Sequence, residues 1–290
     1  MASESETNVG NQIQIQIPSP SLSLSLTRPQ PLQDRVAIVT GSARGIGQAI
    51  ALHLGSLGAK LVINHTSPKS THEAELVASQ INNSLSSSLN NNNTPRAITV
   101  RADVSDPTQV KSLFDKAEET FNSPVHILVN SAGINDSKYP TIANTSLEDF
   151  DNIFSVNARG AFLCCKEAAN RVKRGGGGGI ILLSTSLVGA LKPGAAAYTA
   201  SKAAVETMTK ILAKELKGTR ITANCVAPGP IATELFFSGK PEEYVKRVIE
   251  ESPFGRLGET EEVAPLVGFL ASDASEWVNG QVIRVNGGYV

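Results

Sequence analysis

The amino-acid sequence predicts an α/β fold: one doubly wound domain, with a parallel sheet of about seven strands and helices on both faces. Three observations predict it. Short runs rich in Val, Ile and Leu recur along the chain. They lack apolar–polar alternation, as expected of strands buried on both faces. Helical stretches separate them, and repeated strand–helix–strand units build a parallel sheet.

In chain order, the strand candidates are Val36–Val39, Leu61–Asn64, Ala97–Arg101, Ile127–Asn130, Gly179–Leu183, Thr222–Val226 and Gln281–Val285. The domain they imply spans residues 35–290. Residues 1–34 are rich in Ser, Gln and Pro, and include the alternating stretch Pro20-Ser21-Leu22-Ser23-Leu24-Ser25-Leu26. They read as a disordered leader. A Met-Ala-Ser start with many serines also suits a plastid transit segment, although Glu4 and Glu6 argue against one. No continuous apolar stretch marks a secretory signal. The expected location is the cytoplasm, with the chloroplast as the alternative. Residues 82–95 contain three consecutive serines and four consecutive asparagines, and read as a flexible insertion before the third strand. Gly175–Gly179 is a run of five glycines. It precedes a strand rather than a helix, and no Lys-Ser/Thr follows. It reads as a flexible turn, not a phosphate loop.

Charge and composition exclude several classes. The formal net charge is −1, from 26 basic and 27 acidic residues, so no nucleic-acid partner is expected. No apolar run approaches the roughly 20 residues that span a bilayer. The cysteines are Cys164, Cys165 and Cys225. An odd count inside apolar stretches reads as buried thiols in a reducing compartment. The scattered histidines give no metal-ligand spacing, and no metal is expected.

The first strand runs into Thr40-Gly41-Ser42-Ala43-Arg44-Gly45-Ile46-Gly47, and an amphipathic helix follows. Strand, glycine-rich turn and helix form the context of a dinucleotide site. Gly41 permits a tight turn, Gly45 lets the backbone approach a pyrophosphate, and Gly47 lets the helix pack closely. The helix N-terminus offers free N–H groups to phosphate. An NAD site usually carries an acid at the end of the second strand. Here the strand runs into His65, Thr66 and Ser67, with no acid before Glu73. Arg44 in the turn suits a 2′-phosphate, and the three polar residues can add hydrogen bonds. The expected cofactor is therefore NADP(H). Asp103-Val104 after the third strand, and Asn130-Ser131-Ala132-Gly133 after the fourth, fall on the sheet edge where such ligands bind.

Tyr198 and Lys202 stand at i and i+4 of a predicted helix, which puts them on one face. Upstream, the fifth strand ends in Ser184-Thr185-Ser186, hydroxyls that can reach the same point.

Together these motifs resemble the short-chain dehydrogenase/reductase family, whose domain is of the Rossmann type. Thr40–Gly47 looks like its cofactor turn. Asn130–Gly133 looks like its Asn-Asn-Ala-Gly element, with Ser131 in place of the second Asn. Asn157 looks like its structural and catalytic Asn. Ser186, three residues before Gly189, matches its catalytic Ser, and Tyr198 with Lys202 matches its Tyr-x-x-x-Lys. Pro228-Gly229, Asn279-Gly280-Gln281 and Val285–Gly288 also fit. The Ser186–Tyr198 separation is one residue shorter than in some members. The resemblance implies that Tyr198 donates the proton and that Lys202 lowers its pKa and bonds the nicotinamide ribose. It implies that Ser186 holds the substrate carbonyl and Asn157 holds a water, with Ile231 and Thr233 against the carboxamide. Thr185 and Ser184 compete for the role of Ser186.

Residues 231–255 are expected to form a substrate flap. Leu187, Val188, Leu191, Tyr139, Phe236 and Phe237 are candidate pocket walls. No Lys or Arg is evidently placed to bind a carboxylate, which favours a neutral aldehyde or ketone. Segments 123–133 and 272–280 look most like plant-type NADPH-dependent aldehyde reductases of the family. The implied reaction is reduction of aldehydes or small ketones to alcohols. A 3-oxoacyl-thioester reductase and a non-catalytic dinucleotide sensor are the alternatives. The resemblance also implies a homodimer or homotetramer.

Overall fold

Alternate residues of each central strand are buried on opposite faces of one sheet. Ala37, Val39, Leu61, Ile63, Ile127 and Val129 join one apolar cluster, while Val36, Ile38, Val62, Val125 and Leu128 join the other. Side chains of a strand alternate between faces, so the unbroken apolar runs reflect a sheet covered on both sides.

The computed structural model describes residues 30–84 and 95–290. The strands are β1 (Val36–Thr40), β2 (Lys60–His65), β3 (Ala97–Arg101), β4 (Val125–Asn130), β5 (Gly178–Leu183), β6 (Ile221–Pro228) and β7 (Val282–Val285). The helices are α1 (Gly45–Ser56), α2 (Thr71–Ser84), α3 (Pro107–Phe121), α4 (Leu147–Phe154), α5 (Ala161–Arg171), α6 (Leu187–Ala190), α7 (Ala196–Glu215), α8 (Glu234–Phe237), α9 (Glu242–Glu251) and α10 (Thr260–Ala271). All strand pairs are parallel, in the order β3-β2-β1-β4-β5-β6-β7. The order reverses between β1 and β4, and the crevice beyond their C-terminal ends is where such sheets take ligands.

Two boundaries differ from the sequence reading. The folded unit starts before residue 35, since Leu32 is fully buried and its N–H donates to the Leu57 carbonyl at 2.9 Å. Helix α2 continues through Ser84, into the stretch expected to be a flexible insertion. Asn82 Oδ1 accepts from the Arg96 and Ala97 amides at 2.8 and 2.9 Å, which pins the helix end to β3. Most of the expected leader and residues 85–94 of the expected insertion lie outside the described residues.

The glycine run lies at the other edge of the sheet. Gly175, Gly176 and Gly177 all have positive φ and lead into β5. The one tryptophan, Trp277, is fully exposed nearby, after the residue that pairs with Arg220.

His126 in β4 is buried, and its Nδ1 accepts the Val36 amide at 3.3 Å. Burial, with Lys173 and Arg35 adding repulsion, pushes its pKa down to about 4. The unfolded chain therefore binds the proton first. His126 contributes stability that is present above pH 6.5 and lost as pH falls towards 4, at a cost of about 2–3 kcal/mol. His126→Leu is expected to flatten this acid limb by that amount when denaturant midpoints are measured from pH 7 to 4. An unchanged limb would exclude the assignment.

Candidate functional site

The glycine turn between β1 and α1 is built by close backbone approach. Gly41 has φ +63°, and a Cβ there would lie 2.8 Å from the Ala132 Cα. A Cβ on Gly47 would lie 2.3 Å from the Gly41 carbonyl oxygen, so Gly47 packs on the turn itself rather than on the strand. Gly45 also has a positive φ, of +60°. No side chain caps the α1 N-terminus, which leaves its first N–H groups for an anion.

Buried polar side chains at the strand ends brace this turn. Ser42 Oγ donates to the Val39 carbonyl at 2.7 Å and accepts the Asn64 amide at 3.0 Å. Asn64 Oδ1 accepts the Gly41 amide at 3.2 Å. Thr40 Oγ1 accepts the Ala132 amide at 3.1 Å and donates to Asn130 Oδ1 at 3.2 Å. The second and fourth strand ends thus hold the first. Sequence reasoning placed Thr40 at the start of the turn but gave it no bracing role, and it gave Asn64 no role at all. The available signal was a polar residue at the end of an otherwise apolar strand.

The residues expected at the adenosine end lie along the same edge. His65 is buried, with Nδ1 3.1 Å from the Ser67 carbonyl. Thr66 is exposed, and Ser67 Oγ accepts the Lys69 amide at 3.1 Å. Asp103 Oδ1 accepts from the Ser105 amide and hydroxyl. Val104 is buried against Gly160, where a Cβ would lie 2.8 Å from Val104 Cγ2. Arg44 pairs with Glu234 of α8 at 2.8 Å, and both side chains are exposed. These residues fit a dinucleotide. The glycine turn is a cradle that a Cβ would fill, the helix end above it is uncapped, and no carboxylate stands at residues 64–67.

The side chains expected to react converge from three elements. Chain segment Ser184–Ser186 leaves the end of β5, and the Ser186 amide donates to the Pro228 carbonyl at 2.8 Å. Ser186 Oγ donates to the Ala227 carbonyl at 3.0 Å and accepts from Asn286 Nδ2 at 3.1 Å. Ser184 Oγ instead donates to Glu206 Oε1 at 2.8 Å, which ties it to α7. Tyr198 and Lys202 lie one turn apart on α7. Thr185 Oγ1 accepts the Leu187 amide at 3.3 Å and stands beside the Tyr198 phenol, favouring its ionised form. Lys202 is buried, and its Nζ donates to the Leu183 carbonyl at 2.8 Å.

Burial pushes the Tyr198 phenol up to about 12, with the neighbouring Thr185 hydroxyl acting against it. Burial pushes Lys202 down to about 8. The expected depression of the phenol by Lys202 is not met in this structure, where burial sets the direction and the Lys202 ammonium is held on the Leu183 carbonyl. The phenol is protonated at neutral pH, as a tyrosine ordinarily is, and so has a proton to give.

Asn157 lies in a π-helical turn, Ser155–Gly160, between α4 and α5. Such turns are rare and cluster at functional sites. Its Oδ1 accepts the Ile134 amide at 2.8 Å, and its Nδ2 donates to the Ile134 carbonyl at 2.9 Å and to Ser201 Oγ at 3.1 Å. Both amide hydrogens are used, so the side chain braces the segment after β4. A Cβ on Gly133 would lie 3.2 Å from both Asn157 Oδ1 and Lys202 Nζ, so these three residues meet.

A cavity of about 380 Å³ opens over these groups. Ser184, Thr185, Ser186, Tyr198, Pro228, Gly229, Ile231 and Thr233 line it, and so does Ile46 of the cofactor turn. Ile231 is buried and bridges to Gly258. Thr233 caps α8 by accepting the Phe236 amide at 3.2 Å. Of the expected walls, Leu187, Tyr139 and Phe236 line the cavity. Val188, Leu191 and Phe237 do not, and Leu191 and Phe237 face solvent. The sequence reading placed no lysine here. The structure places three: Lys138, Lys192 and Lys240.

A protein-family profile described as Enoyl-(Acyl carrier protein) reductase matches residues 41–290. An Arabidopsis thaliana protein named NADPH-dependent aldehyde reductase-like protein, chloroplastic, is 68% identical over 262 residues, 90% of this chain and 96% of its own. NADPH-dependent aldehyde reductase 2, chloroplastic, from the same plant is 61% identical, over 90% of this chain and 95% of its own. Among solved structures, a short chain dehydrogenase from Burkholderia cenocepacia J2315 in complex with NADP superposes with a TM-score of 0.79 at 31% identity, covering 89% of this chain and 99% of that one. Sheet order, glycine turn and these likenesses agree: the chain belongs to the short-chain dehydrogenase/reductase family of oxidoreductases.

Proposed function

We propose that this protein reduces aldehydes or small ketones to alcohols with NADPH, and that Tyr198 donates the proton. The carrying observation is that Ile46 of the glycine turn lines the same cavity as Ser186 and Tyr198. A cofactor lying along the turn and a carbonyl in the cavity would therefore be neighbours. The similar Arabidopsis proteins, named as NADPH-dependent aldehyde reductases, support the same reading.

NADP(H) is the cofactor, and when bound it supplies the hydride. Gly41, Ser42, Gly45, Ile46 and Gly47 hold its pyrophosphate, with Asn130, Ala132 and Gly133 beside it. Arg44, His65, Thr66 and Ser67 take the 2′-phosphate end, and Asp103-Val104 the adenine. Pro228, Gly229, Ile231 and Thr233 border the nicotinamide end. Ser186 Oγ turns from the Ala227 carbonyl to the substrate oxygen and stabilises its developing charge. Tyr198 Oη gives that oxygen its proton. Lys202, one turn away, favours the phenolate left behind. Asn157 positions Ile134 and Ser201, and through Ser201 the turn of α7 between Tyr198 and Lys202. Segment 231–255 covers the substrate as a flap.

The names of the similar plant proteins favour the chloroplast over the cytoplasm as the location. No helix among the described residues is long and apolar enough to cross a membrane. Leu147, Phe150, Phe162 and Ile211 are exposed on α4, α5 and α7, which supports a homodimer or homotetramer through these helices.

Oxidation of NADPH, followed by absorbance against aldehydes, ketones and 3-oxoacyl thioesters, tests this reading. Aldehydes are expected to be reduced with NADPH about tenfold or more better than with NADH, and Arg44→Ala to erase most of that preference. Turnover of the thioesters alone would favour the acyl-thioester reductase, and binding without turnover the sensor.

A further inference from the structure

The cavity walls include Lys138, Lys192 and Lys240 and no aspartate or glutamate. Lys138 is neutralised by Asp149 at 2.7 Å, and Lys192 by Glu251 at 3.1 Å. Among the described residues Lys240 has no carboxylate partner. It rises from the turn between α8 and α9 into a cage of rings. Its ammonium lies 4.5 Å from the ring centres of Tyr139 and Phe236, and 6.0 Å from that of Tyr244. It donates to the Tyr139 hydroxyl and the Phe236 carbonyl. An ammonium has three N–H donors, so one remains for a ligand.

The mounting is stiff. Tyr139 has φ +48°, a backbone region that bulky side chains avoid. Its hydroxyl also accepts from Asn135 Nδ2 at 3.1 Å and lies 3.3 Å from the Ser238 carbonyl. Gly239 packs so closely that a Cβ there would lie 1.8 Å from the Ser137 carbonyl oxygen. A half-buried cation without a counter-ion is unfavourable, and the ring faces offset only part of the cost. An incoming anionic oxygen would complete the site. One unpaired positive charge calls for one negative charge.

We propose that Lys240 is a specificity-determining residue, and that the cavity prefers carbonyl substrates carrying a carboxylate remote from the reacting carbon. The substrate's carboxylate meets the Lys240 ammonium while its carbonyl meets Ser186 and Tyr198. Leu187, Leu235 and Val248 add apolar lining to the same cavity for the rest of the substrate. This rests on the reductase reading and names its substrate class.

The test compares 4-formylbenzoate with its neutral methyl ester, using the full chain and NADPH. The wild type is expected to favour the acid in kcat/KM by about tenfold or more, as a charge-assisted bond allows. Lys240→Met is expected to abolish that ratio, chiefly through KM, and Lys240→Arg to restore part of it. Equal kcat/KM for acid and ester, or an unchanged ratio in Lys240→Met, overturns the proposal. A second measurement needs no turnover: calorimetric binding of 4-(hydroxymethyl)benzoate to wild type and Lys240→Met. Binding lost in the variant, with no carbonyl reduced at all, sinks the reductase reading and leaves Lys240 as an anion site. Reduction of acid and ester alike does the reverse. Equal binding by both proteins counts against Lys240.

Discussion

Tyr198→Phe is expected to lower kcat for aldehyde reduction about a hundredfold or more, the usual worth of a positioned general acid. The phenol lines the cavity with Ser186, and at neutral pH it carries the proton the product needs. Removing one oxygen leaves the ring and α7 in place. Affinity for NADPH, read by calorimetry, is expected to stay within a few-fold, because the glycine turn is held by Thr40, Ser42, Asn64 and Asn130 rather than by Tyr198. Wild-type reduction is expected to weaken above about pH 8, as Lys202 loses the charge that favours the phenolate. Near-normal turnover by Tyr198→Phe would move the acid role to another group, with Thr185 the first to examine.

Gly41→Val should remove most NADPH binding. The left-handed backbone alone costs a branched side chain roughly 1–2 kcal/mol. The added Cβ would also lie 2.8 Å from the Ala132 backbone, so the turn or the end of β4 must shift. A rise in Kd of about tenfold or more follows if either moves by a fraction of an ångström. Gly175→Ala is the matched control. Its φ is also positive, at +85°, yet nothing lies within 4 Å of the position. That variant is expected to lose about 1 kcal/mol of stability and bind NADPH normally. Equal NADPH affinity in both variants would show that the Gly41 turn does not carry the cofactor.

The contrast between these glycines shows what could be read from sequence alone. Both segments are glycine-rich, and only the order of flanking elements separated them. Every strand was legible to within two residues, the central β1, β2, β4 and β5 because burial on both sheet faces writes a near-continuous apolar run. Tyr198 and Lys202 were legible because helical spacing alone brings them together. Groups that meet only through tertiary packing were not. Asn64 reaches Gly41 from the next strand, and Asn286 reaches Ser186 across 100 residues of chain. Lys240 enters the cavity only because α8 and α9 fold back over Tyr139. Its absence from the sequence reading is why that reading pointed to a neutral substrate. The phenol pKa failed for a related reason: spacing reveals the neighbouring ammonium but neither the burial of the phenol nor the Leu183 carbonyl that holds the ammonium.

Trp277 has a spectroscopic consequence. A lone tryptophan already fully in water has little further exposure to gain when the chain unfolds. Its emission is a poor gauge of denaturation, for which circular dichroism of the helices is the better signal. The same indole is well placed to register association. Any assembly that covers it replaces water with protein and shifts its emission to the blue. A dilution series of intrinsic fluorescence would thus follow self-association at that edge of the sheet, with folding and cofactor chemistry left largely silent.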